Sequence, residues 1–377
     1  MTNMVRGFEC RRGLVSALLL TALLWANTAP AQEGDTVPPD STAEDTDGVL
    51  LLPVLFYTPE TEFAAGASLL RYFRATGATL EARPSKIWAT AIVTQRSQYI
   101  ADLFGELYFD DERYLSRGDV SYAKFPDKFW GVGPDTPDSN EESYTPKTFF
   151  AFLSLQNQVA QGFNVGVRYE FSSIRITETE PGGLLDAGFI AGSDGGILSG
   201  AGVFINWDTR DNIMYPARGS YHTLSVSLFG SALGSDYDFA KYVVDIRYYI
   251  PLGRPFVLAV QGLLNASSGI VPFQSMAMLG GQNVLRGYYQ GRYRDLNGIV
   301  AQAELRAHLF WRVGAVVFAG AGNVANRLNN FDWEFIRHST GFGLRYTFDK
   351  GEHLNLRLDV GFGEDSTGMY ITAQEAF

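Results

Sequence analysis

From Val49 to Phe377 apolar and polar residues alternate with a period of two, in segments that recur about every 20 residues. Residues 101–109 (ADLFGELYF) and 221–229 (YHTLSVSLF) show the pattern, and clusters of Gly, Pro, Asp and Asn separate the segments. Period-two alternation puts successive side chains on opposite faces of a strand. Hydrophobic residues make up 46% of the chain, yet the mean hydropathy is only -0.04. No apolar run after residue 31 approaches the roughly 20 residues of a membrane helix. The apolar residues are therefore dispersed, as a barrel with lipid outside and water inside requires. A soluble β-sandwich with an aromatic core is the competing reading, and the length of unbroken alternation argues against it.

The pattern predicts an all-β chain, a transmembrane antiparallel β-barrel of about sixteen strands. They are expected at 51–57, 62–73, 86–95, 99–109, 114–125, 147–155, 162–175, 197–208, 219–229, 238–250, 256–268, 299–309, 313–324, 339–348, 353–362 and 369–377. With both ends on the periplasmic side, the long connections 126–146, 176–196, 269–298 and 325–338 all fall on the outward side. The turns 110–113, 251–255 and 310–312 fall on the other, which is the loop asymmetry of outer-membrane barrels. Three connections break this rule: 58–61 and 96–98 are short where long loops are expected, and 75–85 is long where a turn is expected. Aromatic residues, 14% of the chain, gather at strand ends such as Phe56-Tyr57, Tyr108-Phe109 and Tyr248-Tyr249, as interfacial girdles do.

Residues 1–31 carry a secretory signal pattern. Arg6, Arg11 and Arg12 precede the apolar stretch Leu14 to Trp25, and Ala29-Pro30-Ala31 supplies a small-residue cleavage site. Residues 32–48 are acidic and rich in Pro, Ser and Thr, which predicts a disordered leader before a barrel domain at 49–377. Loss of the signal takes three basic residues and Glu9 from totals of 30 and 41, leaving 27 basic against 40 acidic. A chain so acidic is not expected to bind nucleic acid. Cys10 is the only cysteine and leaves with the signal, so no disulfide or cysteine-ligated metal is expected.

The stretch Leu279 to Asp295, LGGQNVLRGYYQGRYRD, places Arg286-Gly287-Tyr288 in a glycine-rich loop. A guanidinium leaves water only for an acidic partner, so Arg286 is either a solvated surface residue or one half of a buried pair. At the end of the chain, Met369, Ile371, Ala373, Glu375 and Phe377 share one face, mostly apolar and closed by an aromatic residue. The segment Trp207 to Gly219 holds Asp208, Asp211, Asn212, Pro216 and Gly219, side chains suited to a tight turn. Arg210 among those acids argues against a calcium site. The four histidines are scattered, with no metal or hydrolase motif. His222, beside alternating serines, is the one residue that would fit an outer-membrane lipid hydrolase. No catalytic residue, metal or cofactor is expected.

Four stretches, taken in order, resemble the barrel domain of the BamA/TamA superfamily, also called the bacterial surface antigen family. They are Leu52 to Thr61, Asn206 to Gly219, the Arg286-Gly287-Tyr288 loop and Arg357-Leu358-Asp359-Val360-Gly361. The resemblance implies that the loop between the eleventh and twelfth strands folds into the barrel and sets Arg286 against acids on the inner wall. Glu304 matches one such acid. The second belongs to a Phe-x-Asp-x-Gly strand that here reads Phe318-Ala319-Gly320-Ala321-Gly322, so Gly320 replaces it and Asp349 or Asp359 is expected to substitute. The terminal segment, with Tyr370 and Phe377, is similar to the signal read by barrel-assembly machinery.

Members that insert or secrete proteins carry periplasmic POTRA modules, and the leader is too short for one, so the chain is expected to belong to a subgroup without them. The implied role is assistance to protein or lipid insertion or transport at the outer membrane, with the seam between first and last strands as working surface. Outer-membrane lipids, client proteins and a periplasmic partner are the expected associates. A passive pore or structural barrel is the alternative.

Overall fold

The computed structural model describes residues 48–74, 84–110, 112–349 and 354–377. The signal segment 1–31, and all of the expected leader except Gly48, lie outside the described residues. Alternation produces β1 (Gly48–Thr58), β2 (Glu62–Phe73), β3 (Ser85–Thr94), β4 (Tyr99–Phe109), β5 (Tyr114–Lys124), β6 (Asp127–Phe129), β7 (Glu142–Ala160) and β8 (Phe163–Thr179). These are followed by β9 (Gly195–Asp208), β10 (Gly219–Phe229), β11 (Phe239–Pro251), β12 (Phe256–Gly269), β13 (Ala277–Leu279) and β14 (Tyr293–Asp295). The chain continues with β15 (Asn297–Phe310), β16 (Val313–Ala325), β17 (Arg337–Asp349), β18 (Leu354–Phe362) and β19 (Thr367–Ala373).

Sixteen of these strands, all but β6, β13 and β14, form a closed antiparallel barrel in which each pairs with its sequence neighbour. Outward positions such as Leu153, Leu155, Val167 and Val203 are exposed and apolar, while their strand neighbours face the lumen. This is the lipid-out arrangement the alternation encodes.

Three departures from the sequence expectation have local causes. β7 begins five residues earlier than expected and continues past position 155. Pro146, inside this extension, sits at a register shift between β7 and β8, where a missing N–H disturbs the ladder least. The short β6 extends the β5–β7 hairpin, and β13 and β14 pair with each other inside the long 270–296 connection. The final strand ends at Ala373 rather than Phe377, because Gln374 adopts a left-handed φ of 64° and turns the chain inward.

Closure is uneven. β1 pairs with β2 over its full length, whereas its ladder to β19 consists of the single pair Tyr57 and Ile371. β1 also carries Pro53, a residue that sheets confine to edges and bulges.

Candidate functional site

The 270–296 connection turns into the barrel and packs against the inner wall of β11, β12, β15 and β16. Leu279, Val284, Leu285 and Tyr288 join Val243, Leu263, Val300 and Val324 in one buried cluster. Apolar packing of this kind holds a loop in the lumen without help from charge. It also explains Gly320 and Gly322. Leu285 lies over both: a Cβ at Gly320, the position of the related motif's aspartate, would meet Leu285 Cδ2 and Gln302 Cβ at 3.0 Å, so a side chain there requires Leu285 to shift.

Arg286 is 2% exposed, and its two terminal nitrogens are divided between two carboxylates. Nη2 donates to Glu304 Oε1 and Nη1 to Asp359 Oδ2. The guanidinium is thus shared between Glu304 and Asp359 and is not bidentate to Glu304. Glu304 is on β15 and Asp359 on β18, and the guanidinium bridges the strands between them. It does so by lying 3.5 Å above the Phe318 ring on β16. That ring in turn covers Gly341 on β17, where a Cβ would approach it to 2.3 Å. Asp359 thus fills the role left by Gly320, while the side chain of Asp349 lies outside the described residues.

The ion pairs continue beyond this bridge. Arg306 donates to the other oxygen of Glu304 at 2.9 Å, Arg345 to Asp359 at 2.5 Å and to Glu375 at 2.7 Å, and Arg357 approaches Asp359 at 3.3 Å. Arg357 also donates to Thr372 Oγ1 and to the loop carbonyl of Gln282. Four arginines and three carboxylates therefore bind the loop to β15, β17, β18 and the segment after β19. Charge-assisted bonds in so buried a setting fix geometry closely, since each lost partner strands a charge.

Gly287 and Tyr288 complete the contact. Gly287 has φ 118°, and a Cβ there would lie 2.6 Å from the Gly363 nitrogen. Its N–H donates to Tyr370 Oη at 3.0 Å, and that hydroxyl donates to the Tyr288 carbonyl at 3.3 Å. Tyr288 Oη donates to the His338 carbonyl and accepts from the Glu364 N–H. Tyr370, opposite in parity to Met369 and Ile371, points into the lumen and holds the loop.

The same loop also reaches the other side of the seam. The Gln290 N–H donates to Glu60 Oε1 at 2.8 Å, in the β1–β2 turn. Tyr289 Oη donates to Asp127 Oδ1 at 2.9 Å. Burial pushes the Glu60 and Asp127 carboxyls above their ordinary range, with hydrogen bonds from Gln290 and Tyr289 opposing it. Five consecutive residues, 286–290, thus touch β18 and β19 on one side and the β1 hairpin on the other.

At the opposite end of the barrel, the segment after β19 folds across the lumen. Phe377 packs with Tyr249 and Ala259, and its carbonyl accepts from Arg306 at 2.9 Å. Glu375 meets Arg345 and Asn355. The apolar face read from Met369 to Phe377 therefore stops at Ala373: Met369 is exposed on the outer wall and Phe377 is buried within. Gln374 donates to Met214 Sδ at 3.0 Å, in the 209–218 turn. That turn uses its acids internally. Asp208 holds Arg210 at 2.7 Å, Asp211 accepts from two backbone N–H groups, and Asn212 from two more.

His222 lies on the outer wall against Tyr248 at 4.9 Å and Trp207 at 6.1 Å, an aromatic setting. No hydrogen bond joins its ring to a serine or an acid among the described residues.

Sequence reasoning found Arg286, Glu304 and Asp359 but left Arg306, Arg345, Arg357 and Glu375 unassigned. Their signal was present as charges two apart, Glu304 with Arg306 and Arg357 with Asp359, which a strand places on one face.

An Omp85 superfamily domain matches residues 80–364. Among curated proteins, none matches the chain. Among solved structures, BamA from Haemophilus ducreyi lacking POTRA domains 1–3 is 16% identical with a TM-score of 0.61, over 88% of this chain and 70% of that one. CdiB from Acinetobacter baumannii is 12% identical with a TM-score of 0.57, over 88% of this chain and 60% of that one. CdiB from Escherichia coli is 11% identical with a TM-score of 0.61, over 86% and 62%. The chain spans less than two thirds of either CdiB, and its described residues contain no POTRA-like region. At these identities the neighbours speak for the fold, and the matched domain covers most of the chain: it belongs to the Omp85 superfamily.

Proposed function

We propose that this barrel assists the insertion or transport of protein or lipid at the outer membrane, and that the β1–β19 seam is its working surface. Barrels of this superfamily are outer-membrane proteins, and the fold fits that setting. The observation that carries the reading is the single ladder pair at the seam, where the neighbouring ladders β1–β2 and β18–β19 hold eleven and seven pairs. Opening there breaks the fewest backbone bonds, while the 286–290 loop keeps β18 and β19 in register. Client proteins or lipids would pass at this edge, with a periplasmic partner delivering them. Residues 1–31 act as the secretory signal and residues 32–48 as a leader in this reading. The terminal residues with Tyr370 and Phe377 act as a targeting signal, read before folding carries them inside.

A locked seam tests the proposal. Tyr57 and Ile371 are directly opposed, and such pairs lie within about 4.5–5.5 Å between Cα atoms, inside the disulfide range. In cells depleted of the native protein, Y57C/I371C is expected to fail under oxidising conditions to sustain client barrels and surface lipid, and to recover on reduction. Full complementation by the cross-linked protein would remove the seam as working surface and favour a passive pore or structural barrel.

A further inference from the structure

The outer wall of β5, β7 and β8 carries three cations side by side, at the end that bears the long connections. Strand register sets Lys124 opposite Lys147, and Lys147 opposite Arg175. All three share the outward parity of Val120, Leu153 and Val167, and stand one step beyond the row Tyr122, Phe149 and Ser173. Tyr99 on β4 stands directly opposite Lys124, at the end of the cation row. Adjacent strands are about 4.8 Å apart, so the first and third cations stand about 10 Å apart. Like charges directly opposed weaken a sheet, and among the described residues no ion pair joins any of the three to an acid. The arrangement is costly unless an anion from outside the chain neutralises it.

Further along the same wall, toward the middle of the strands, lies an apolar groove of about 550 Å³. Ala201 and Gly202 on β9 form its floor, with Tyr169 and Val167 on one side and Leu228 and Val226 on the other. Register puts Ala201 between Tyr169 and Leu228, so the smallest side chain of that row lies between two large ones. Arg175 and Tyr169 are six residues apart on β8, about 20 Å of strand. The cations lie just beyond the aromatic row, where headgroups sit, and the groove lies within the apolar band.

We propose that this wall binds a phosphorylated lipid, in the leaflet at the long-loop end. Its headgroup phosphate would sit on Lys124, Lys147 and Arg175, and an acyl chain would lie over Ala201. A phosphate group offers the charge and the oxygens that an arginine fork and two flexible ammonium groups engage together. The long stems of Lys124 and Lys147 can lie along apolar wall while their charges reach the headgroup layer. This surface is separate from the seam and holds whether or not the seam opens.

Native mass spectrometry of the full chain, after detergent exchange with added lipid A or its dephosphorylated backbone, tests the proposal. The unaltered protein is expected to retain lipid A and not the dephosphorylated form. K124Q/K147Q/R175Q is expected to lower retention about tenfold or more, the loss of at least one charge-assisted contact. Ala201→Phe, which fills the groove and leaves the charges in place, is expected to lower it as well. Arg113→Gln, at the opposite rim, is expected to change nothing. Equal retention of both lipids, equal retention by the triple variant, or an equal loss in R113Q overturns the proposal. Unchanged heat-modifiability on gels establishes that each variant is folded.

Discussion

The two strands that meet at the seam are held in different ways. β19 has seven ladder pairs to β18, and its inward residues Tyr370 and Thr372 are tied to the lumen loop and to Arg357. β1 has its full ladder to β2, and the turn that follows it reaches the lumen loop by the Glu60 bond to Gln290. The loop therefore belongs to the β19 side and only leans on the β1 side. When the seam parts, the Tyr57–Ile371 pair and the Glu60 contact break and the apolar cluster that Val54 and Phe56 share with Ala373 is divided, while the arginine cluster is left whole.

Removing Arg286 attacks the strong side of this comparison. R286A leaves Glu304 and Asp359 buried without their shared cation, a loss of about 3–5 kcal/mol. A lower heat-modifiability midpoint and protease cleavage within 270–296 are expected, with targeting to the membrane intact; an unchanged midpoint and a resistant loop would mean that the bridge does not hold the barrel. Gly361→Ala acts on the same side without removing charge. Its Cβ would fall 2.5 Å from the Arg286 carbonyl carbon, so an overpacking loss of about 1–3 kcal/mol is expected in the same assay. Tyr370→Phe removes one hydroxyl that both accepts from Gly287 and donates to Tyr288, and about 1–2 kcal/mol should follow.

The weak side gives the smallest effect, and it depends on pH. Glu60 has a carboxyl raised by burial, so between its ordinary value and its raised one the folded state binds more protons than the unfolded. Stability should therefore rise modestly as pH falls from neutral toward the ordinary carboxylate range. Asp127, raised for the same reason, adds to the trend. Glu60→Gln should flatten part of it and change the midpoint at neutral pH by less than about 1 kcal/mol. A larger drop in E60Q than in R286A would reverse the ranking of the two sides.

The wall was legible because lipid on one face and lumen on the other impose a period of two on every strand. The start of the seventh strand, expected at 147, lies at Glu142, and Pro146 is carried inside the strand at a register shift. Asp359 was legible as part of a strand motif two residues from Arg357. Glu375 was visible only as a charge on an otherwise apolar face, and not as the partner of Arg345 and Asn355. Nothing in Gln374 announces a left-handed turn, so the inward course of the last residues became clear only from the fold. The Lys124, Lys147 and Arg175 row was illegible for another reason: the three are far apart in sequence, and only register brings them together.

Strand length has its own consequence for the bilayer. β7 and β8 have 19 and 17 residues, and β18 and β19 have 9 and 7. At about 3.4 Å per residue and a tilt near 40°, β7 rises about 50 Å along the membrane normal and β19 about 18 Å. The hydrocarbon layer is about 30 Å thick, so the tall side can span it with rim to spare and the short side cannot match it. In an outer membrane, lipid beside β19 would have to thin or disorder to meet so low a wall, next to the least-paired edge of the barrel.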